Sequence, residues 1–334
     1  MLSTCTLRLT LALFLTAVAA LGAAATAGSQ EGGPASSTSV DLLPGKPRCF
    51  GAAARDPARA CGRAKRVLSV VPRPRDALDL PPAACSERET EGLVSVCSFG
   101  TPAEEASTVV ALVGDSHAAH WRAALEPVAN AKGWHGVSIM RGGCPLSKAV
   151  RALTPAGRRS ACGEWKRQVF SWFTRHPEVS TVFVSGLSGG SGVVPARGRS
   201  EFETSVAGYR AAWSALPRSV ERIVVLRDTP KMRGRVNACV ERAMRVGTPA
   251  GLRCAVSRKA AMDPDPILVA AKAMRSRRTG IVDLTRFFCD SARCYPVIGG
   301  ALALKDSTHL TPLFSETLAT FLLGAVNRVL ATSR

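Results

Sequence analysis

The sequence is short of aromatic residues, at 5%, and short of acid, with 25 Asp and Glu against 44 Lys and Arg. The acid deficit leaves a formal charge of +19. A charge of that size suits nucleic acid, but the arginines are scattered, few rings are present to stack on bases, and no nucleic-acid motif occurs. Nucleic acid is therefore set aside. Two readings fit the charge: an anionic polymer of the cell envelope as partner, or an Arg-rich composition without a specific partner. Cys-x-x-Cys is absent, so the usual spacing of a zinc site is missing, and neither metal nor cofactor is expected. Gly-x-Gly-x-x-Gly is absent after the first strand candidate, which disfavours a nucleotide-binding Rossmann protein. No internal repeat is visible, and beyond residue 27 no apolar run is long enough to span a membrane.

What is present begins with Arg8, an apolar run over residues 9–24, and Ala25-Thr26-Ala27, a small-x-small cleavage pattern. This predicts a signal peptide over residues 1–27, cleaved near Ala27, and a secreted or cell-envelope protein. A retained membrane anchor is the alternative, since the run is just long enough. Cys5 precedes the run and is not placed for lipid attachment. Ten cysteines then remain, an even number that argues for disulfides in an exported chain. Five local pairs are the simplest expectation: Cys49 with Cys61, Cys85 with Cys97, Cys144 with Cys162, Cys239 with Cys254, and Cys289 with Cys294.

The 334 residues, 46% of them hydrophobic, suffice for one large domain with accessories. Residues 28–48, rich in Gly, Ser and Pro, read as a flexible linker. Residues 49–106 read as an irregular extension stapled by two disulfide loops, with one short strand over 67–71. Residues 107–334 carry the main domain. Strands are expected over 109–113, 136–140, 181–185, 222–226 and 280–284, and helices over 117–132, 162–176, 201–216, 267–276 and 312–330. This alternation predicts an α/β fold, a three-layer α/β/α sandwich around a parallel central sheet. Residues 228–262 interrupt the rhythm and read as an insertion or lid beside the strand edge. Trp121, Trp165, Trp172 and Trp213 fall at helical positions and are expected in the core.

Gly114 breaks the first β-branched run, and Asp115 and Ser116 follow at a helix start. Ser116 thus lies at the carboxyl end of a strand, where open α/β sheets bind ligands. Taken alone it is either a nucleophile or a plain helix cap. Asp306 and His309, three residues apart before the last helix, favour the nucleophile. The carboxylate can hold the imidazole's tautomer while the other ring nitrogen deprotonates a serine. His117 is expected to pack or hydrogen-bond near the site. His120 would need more ligands than His117 to hold a metal.

Gly114-Asp115-Ser116-His117 with Asp306-x-x-His309 resembles the SGNH hydrolase superfamily, and within it the periplasmic SGNH domains fused to acyltransferase-three membrane proteins. Gly143-Cys144-Pro145-Leu146, Leu226-Arg227-Asp228-Thr229-Pro230 and Cys49-Phe50-Gly51-Ala52 add to the resemblance. It implies a stand-alone exported domain acting on acyl esters of envelope polysaccharide or peptidoglycan. Ser116 would be the nucleophile, His309 the base and Asp306 its orienting carboxylate. The oxyanion would be held by the Ser116 N–H and the N–H of Gly142 or Gly143. A separate membrane acyltransferase would be a partner if acyl groups are transferred rather than hydrolysed. The superfamily's third block offers an Asn side chain to the oxyanion, whereas Val184-Ser185-Gly186-Leu187-Ser188-Gly189-Gly190-Ser191 has none. Ser185 or Ser188 could substitute, or the loop could have no role. The alternative function is a weak or inactive module that binds anionic envelope glycan.

Overall fold

The computed structural model describes residues 42, 45–58, 61–62, 66–189, 192–232, 234 and 236–332. The signal peptide expected over 1–27 and most of the linker expected over 28–48 lie outside the described residues. Seven strands form the main sheet: β1 (Arg88–Glu91), β2 (Val94–Gly100), β3 (Thr108–Gly114), β4 (Trp134–Met140), β5 (Val179–Ser185), β6 (Arg222–Leu226) and β7 (Thr279–Val282). Their spatial order is β1-β2-β4-β3-β5-β6-β7. β4, β3, β5, β6 and β7 run parallel, while β2 is antiparallel to β4, and β1 to β2. The chain leaves β3 toward β4 on one side and later adds β5 on the other. The order therefore reverses at β3, and a crevice opens at its carboxyl end.

Strand residues alternate between two cores, as a period of two requires. Val110 and Leu112 of β3, Phe183 of β5 and Val224 of β6 face one layer. That layer is built from α1 (Ser116–Ala119), α2 (Arg122–Lys132) and two C-terminal helices, α7 (Pro312–Thr317) and α8 (Ala319–Ala331). Ala111, Val113, Val182 and Val225 face the opposite layer of α3 (Ala156–Arg175), α4 (Glu201–Ser214) and α6 (Pro266–Met274). All five tryptophans are buried, Trp121 and Trp134 on the first face and Trp165, Trp172 and Trp213 on the second. Each fully buried aliphatic side chain on these faces contributes about 1.5–3 kcal/mol relative to exposure.

Several boundaries differ from expectation. The helix expected over 117–132 divides, because the Trp121 N–H bonds to the Ala118 carbonyl and tightens the turn between α1 and α2. The helix expected over 312–330 divides likewise at Leu318, whose N–H bonds to Ser315. The second half of the segment expected to be irregular, 49–106, instead supplies β1 and β2. β1 is exposed along its whole length, so its sequence carries no apolar alternation to announce it. In place of a strand over 67–71, Val71 makes a single parallel bridge to Ala301. Residues 228–262 hold α5 (Val236–Arg245) and two shorter helices, and Val240, Ala243 and Ala250 tuck into the first core.

Disulfides join Cys49–Cys61, Cys85–Cys97, Cys144–Cys162, Cys239–Cys254 and Cys289–Cys294. No helix among the described residues is long and apolar enough to cross a membrane.

Candidate active site

The site begins where β3 ends. A Cβ on Gly114 would lie 2.5 Å from the Ser185 carbonyl oxygen and 2.7 Å from the Ala118 methyl. Only a residue without a side chain fits between β5 and α1 there. Asp115 is extended, and its Oδ1 accepts from the His117 N–H at 2.8 Å, capping α1. Ser116 therefore occupies the first helical position, with Asp115 rather than Ser116 as the cap. Burial pushes the Asp115 carboxyl above its ordinary range, against the nearby His117 and the N–H groups of His117 and Leu187.

His309 reaches the same point from the far end of the chain. Its Nε2 lies 2.8 Å from Ser116 Oγ, and its Nδ1 lies 2.8 Å from Asp306 Oδ2. A carboxylate only accepts, so Nδ1 carries the proton, and the unprotonated Nε2 faces the serine hydroxyl as an acceptor. Asp306 Oδ1 accepts from the N–H groups of Thr308 and His309, each at 2.8 Å. Partial burial pushes the Asp306 carboxyl up, but the bonds from His309 and these N–H groups prevail and hold it well below the usual carboxylate range. The loop is pinned from outside: Met232 N–H donates to Ser307 O at 2.7 Å, and Asn237 Nδ2 to Lys305 O at 2.6 Å. Thr311 caps α7, and Pro312 takes its first turn. The segment expected as an insertion thus braces the loop that carries His309.

A buried polar cluster lies beneath. Asp228, directly after β6, is 3% exposed, and its Oδ1 is 2.7 Å from His117 Nδ1. Its Oδ2 accepts from the Ser188 N–H at 2.7 Å. Burial opposes its charge, yet His117 and these bonds hold its carboxyl below the ordinary value, and the carboxylate raises His117 in turn against burial. Burial, with His117 adjacent, pushes His120 well down. His117, His120 and Asp228 bring three potential ligand atoms within 4.8 Å of one another. Two ligands on one tetrahedral ion with 2.0–2.1 Å bonds lie roughly 3.3 Å apart, so the 2.7 Å His117–Asp228 approach is a hydrogen bond. The role of Asp228 was not assigned from sequence. The available signal was a carboxylate directly after an apolar strand, at the same edge as Ser116.

The oxyanion candidates are placed less uniformly. Among the described residues, no protein acceptor takes the N–H of Ser116, Gly142 or Gly143. Gly143 has φ +67, a turn conformation that glycine adopts freely, and its carbonyl accepts from Arg151 Nε at 3.0 Å. In the loop after β5, the Leu187 N–H goes to Asp115 Oδ2, the Ser188 N–H to Asp228 and the Gly189 N–H to the Pro264 carbonyl. Those three donors are committed. Among the described residues, Ser185 Oγ is buried without a hydrogen-bond partner. Gly190 and Ser191 lie outside the described residues.

The description of the family whose model matches residues 84–323 is "SGNH domain (fused to AT3 domains)". The chain belongs to that family. Its match begins before β1, so it takes in the β1–β2 hairpin, within the segment expected as an irregular extension of the domain. One solved structure similar to the chain is the periplasmic domain of a lipopolysaccharide acetyltransferase from Salmonella ser. Paratyphi A. The two share 12% identity with a TM-score of 0.49, over 68% of this chain and 85% of that one. No curated protein matches the sequence. Membership of the SGNH family supports a general esterase or acyl-transfer role. Five disulfides accord with an extracytoplasmic location.

Proposed function

We propose that this SGNH domain is an exported serine esterase or O-acyltransferase that acts on acyl esters of envelope polysaccharide or peptidoglycan through Ser116, His309 and Asp306. One observation carries the reading: an unbroken hydrogen-bond chain from Asp306 through His309 to Ser116, 2.8 Å at both links. Ser116 Oγ attacks the ester carbonyl carbon while His309 Nε2 takes the hydroxyl proton. The tetrahedral oxyanion is met by the N–H of Ser116 and of Gly142 or Gly143. Collapse breaks the bond to the alcohol, which leaves with the proton from His309, and the acyl group stays on Ser116. A water or a sugar hydroxyl then gives its proton to His309 and attacks the acyl-enzyme. Return of that proton to Ser116 completes either hydrolysis or transfer. Asp306 stays ionised throughout and stabilises the transient imidazolium. In the transfer mode a membrane acyltransferase supplies the acyl group. The formal charge of +19 over the full sequence supports an anionic envelope polymer as the partner.

The test is intact mass after exposure to a serine-reactive phosphonate, with hydrolysis of p-nitrophenyl acetate measured beside it. Wild type is expected to gain one adduct and turn over, and Ser116→Ala to do neither. The commitment of three N–H groups in the loop after β5 favours a second reading, a catalytically weak module that binds anionic glycan. Equal inertness of both proteins, with retained glycan binding, would select it.

A further inference from the structure

A cavity of about 290 Å³ opens directly beside Ser116 and His309. Its walls come from three parts of the chain. Ala119 and Ala123 line one side, and Pro82 and Ala83 another, while Leu310 and Pro312 follow His309 along the rim. Its polar groups are Ser116, His120, Lys305, Asp306 and His309, gathered at the reacting end, while the other six lining residues are Ala, Pro and Leu. The Pro82–Ala83 wall is fastened twice: Cys85–Cys97 ties it to β2, and Arg122 Nη2, from the first residue of α2, donates to the Ala84 carbonyl at 2.6 Å. Arg122 is itself buried, with Glu126 as its ion-pair partner.

The chemistry of these walls selects one half of an ester. A sugar ring pressed against Ala, Pro and Leu would leave its hydroxyls without partners, at a cost on the order of tenfold in affinity or more for each. Among the described residues, no Phe, Tyr or Trp lines the cavity for a ring to stack upon. An alkyl chain loses nothing there and gains about fourfold for each methylene removed from water. The space, on the order of ten water volumes at about 30 Å³ each, far exceeds an acetyl methyl. We infer that this cavity is the acyl-chain site, and that it takes acyl groups longer than acetyl, about four to eight carbons, while the sugar stays outside it. The inference rests on Ser116 being the acyl-accepting nucleophile. Small residues at 119, 123 and 83 are then determinants of chain length.

The experiment has two arms. The first measures kcat/KM for p-nitrophenyl acetate, butyrate, hexanoate and octanoate with wild type, Ala123→Leu and Ala83→Leu. Wild type is expected to favour hexanoate over acetate by tenfold or more, and either variant to reduce that ratio at least tenfold. Ala83 lies in an irregular segment, so its variant does not depend on a helix accepting the larger side chain. The second arm needs no turnover: acetate, butyrate and hexanoate are titrated into Ser116→Ala by calorimetry, with and without Ala83→Leu. Hexanoate should bind at least tenfold more tightly than acetate, and Ala83→Leu should abolish the difference. Turnover or binding that is indifferent to chain length, or to both wall substitutions, overturns the inference. Absence of turnover with every ester, alongside chain-length-dependent binding, would count against the nucleophile and leave the cavity assignment supported.

Discussion

Replacement of Asp306 by Asn tests the candidate relay at its most informative link. The two side chains have nearly the same shape, so the difference lies in protons. In the wild type, one oxygen accepts two backbone N–H groups at 2.8 Å, and the other accepts the His309 Nδ1–H at 2.8 Å. Asn keeps a single oxygen. If it stays with the two backbone donors, its NH₂ faces Nδ1, and two donors meet. The ring escapes by moving its proton to Nε2, which then points a hydrogen at Ser116 and accepts nothing. A wrong tautomer of this kind costs about 10⁴-fold in kcat, or roughly 5.5 kcal/mol of barrier at 1.36 kcal/mol per tenfold. Asp306→Ala removes the caps as well but leaves space for water, because the Asp306 side chain is 38% exposed. Water can accept from Nδ1, so Ala is expected to retain more activity than Asn. The assay is kcat/KM on the best p-nitrophenyl ester, with thermal melting to show that both variants fold. A folded Asn variant within tenfold of wild type would refute the reasoning.

Other outcomes follow from the surroundings. Burial and the charge of Asp228 raise the Asp265 carboxyl to about 6, against the N–H groups of Leu268, Asp228 and Ile267. Its folded value lies above the unfolded value of about 3.9, so this group's contribution to stability is fully present below about pH 4 and is lost as pH rises between about 4 and 6, on the order of 3 kcal/mol. Asp265→Asn keeps a cap acceptor for α6 and should flatten that slope in melting temperatures recorded from pH 4 to 7.5, whereas an unaltered slope would contradict it. Gly114→Ala forces a methyl against the Ser185 carbonyl, 2.5 Å away, and should cost on the order of 3 kcal/mol in urea unfolding, with near-neutral behaviour as the contrary result. Paired Ser substitutions at Cys85 and Cys97, 12 residues apart, should cost about 3 kcal/mol and weaken the chain-length preference, because the bridge holds the Pro82–Ala83 wall. Retention of both stability and preference would show that Arg122 alone holds the wall.

The parallel core was legible because its strands are buried on both faces and read as continuous Val-, Ile- and Leu-rich runs, as in Val109 to Val113. β1 was not, since Arg88–Glu91 is a solvent-exposed edge held by ladder bonds and by the Cys85–Cys97 staple beside it. Asp306 and His309 were legible as a pair because three residues of turn suffice to join them. Asp228 was not, because its partners His117 and Ser188 are 111 and 40 residues away, a distance only the sheet order can close. Breaks inside the helix patterns escaped for a different reason. The apolar spacing continues across His120 and across Leu318, and only the local bonds at Trp121 and Leu318 reveal the interruption.

Ser116 and His309 are 193 residues apart in a chain made from one end to the other. At about 5–20 residues per second, roughly 10–40 s separate the synthesis of the hydroxyl from that of the imidazole that would polarise it. In that interval the serine is an ordinary alcohol at the head of a short helix. It gains its base only when the last loop and α7 settle against α2. Any acyl chemistry at Ser116 is thus withheld from the growing chain by connectivity alone and begins only once the loop carrying Asp306 and His309 has docked.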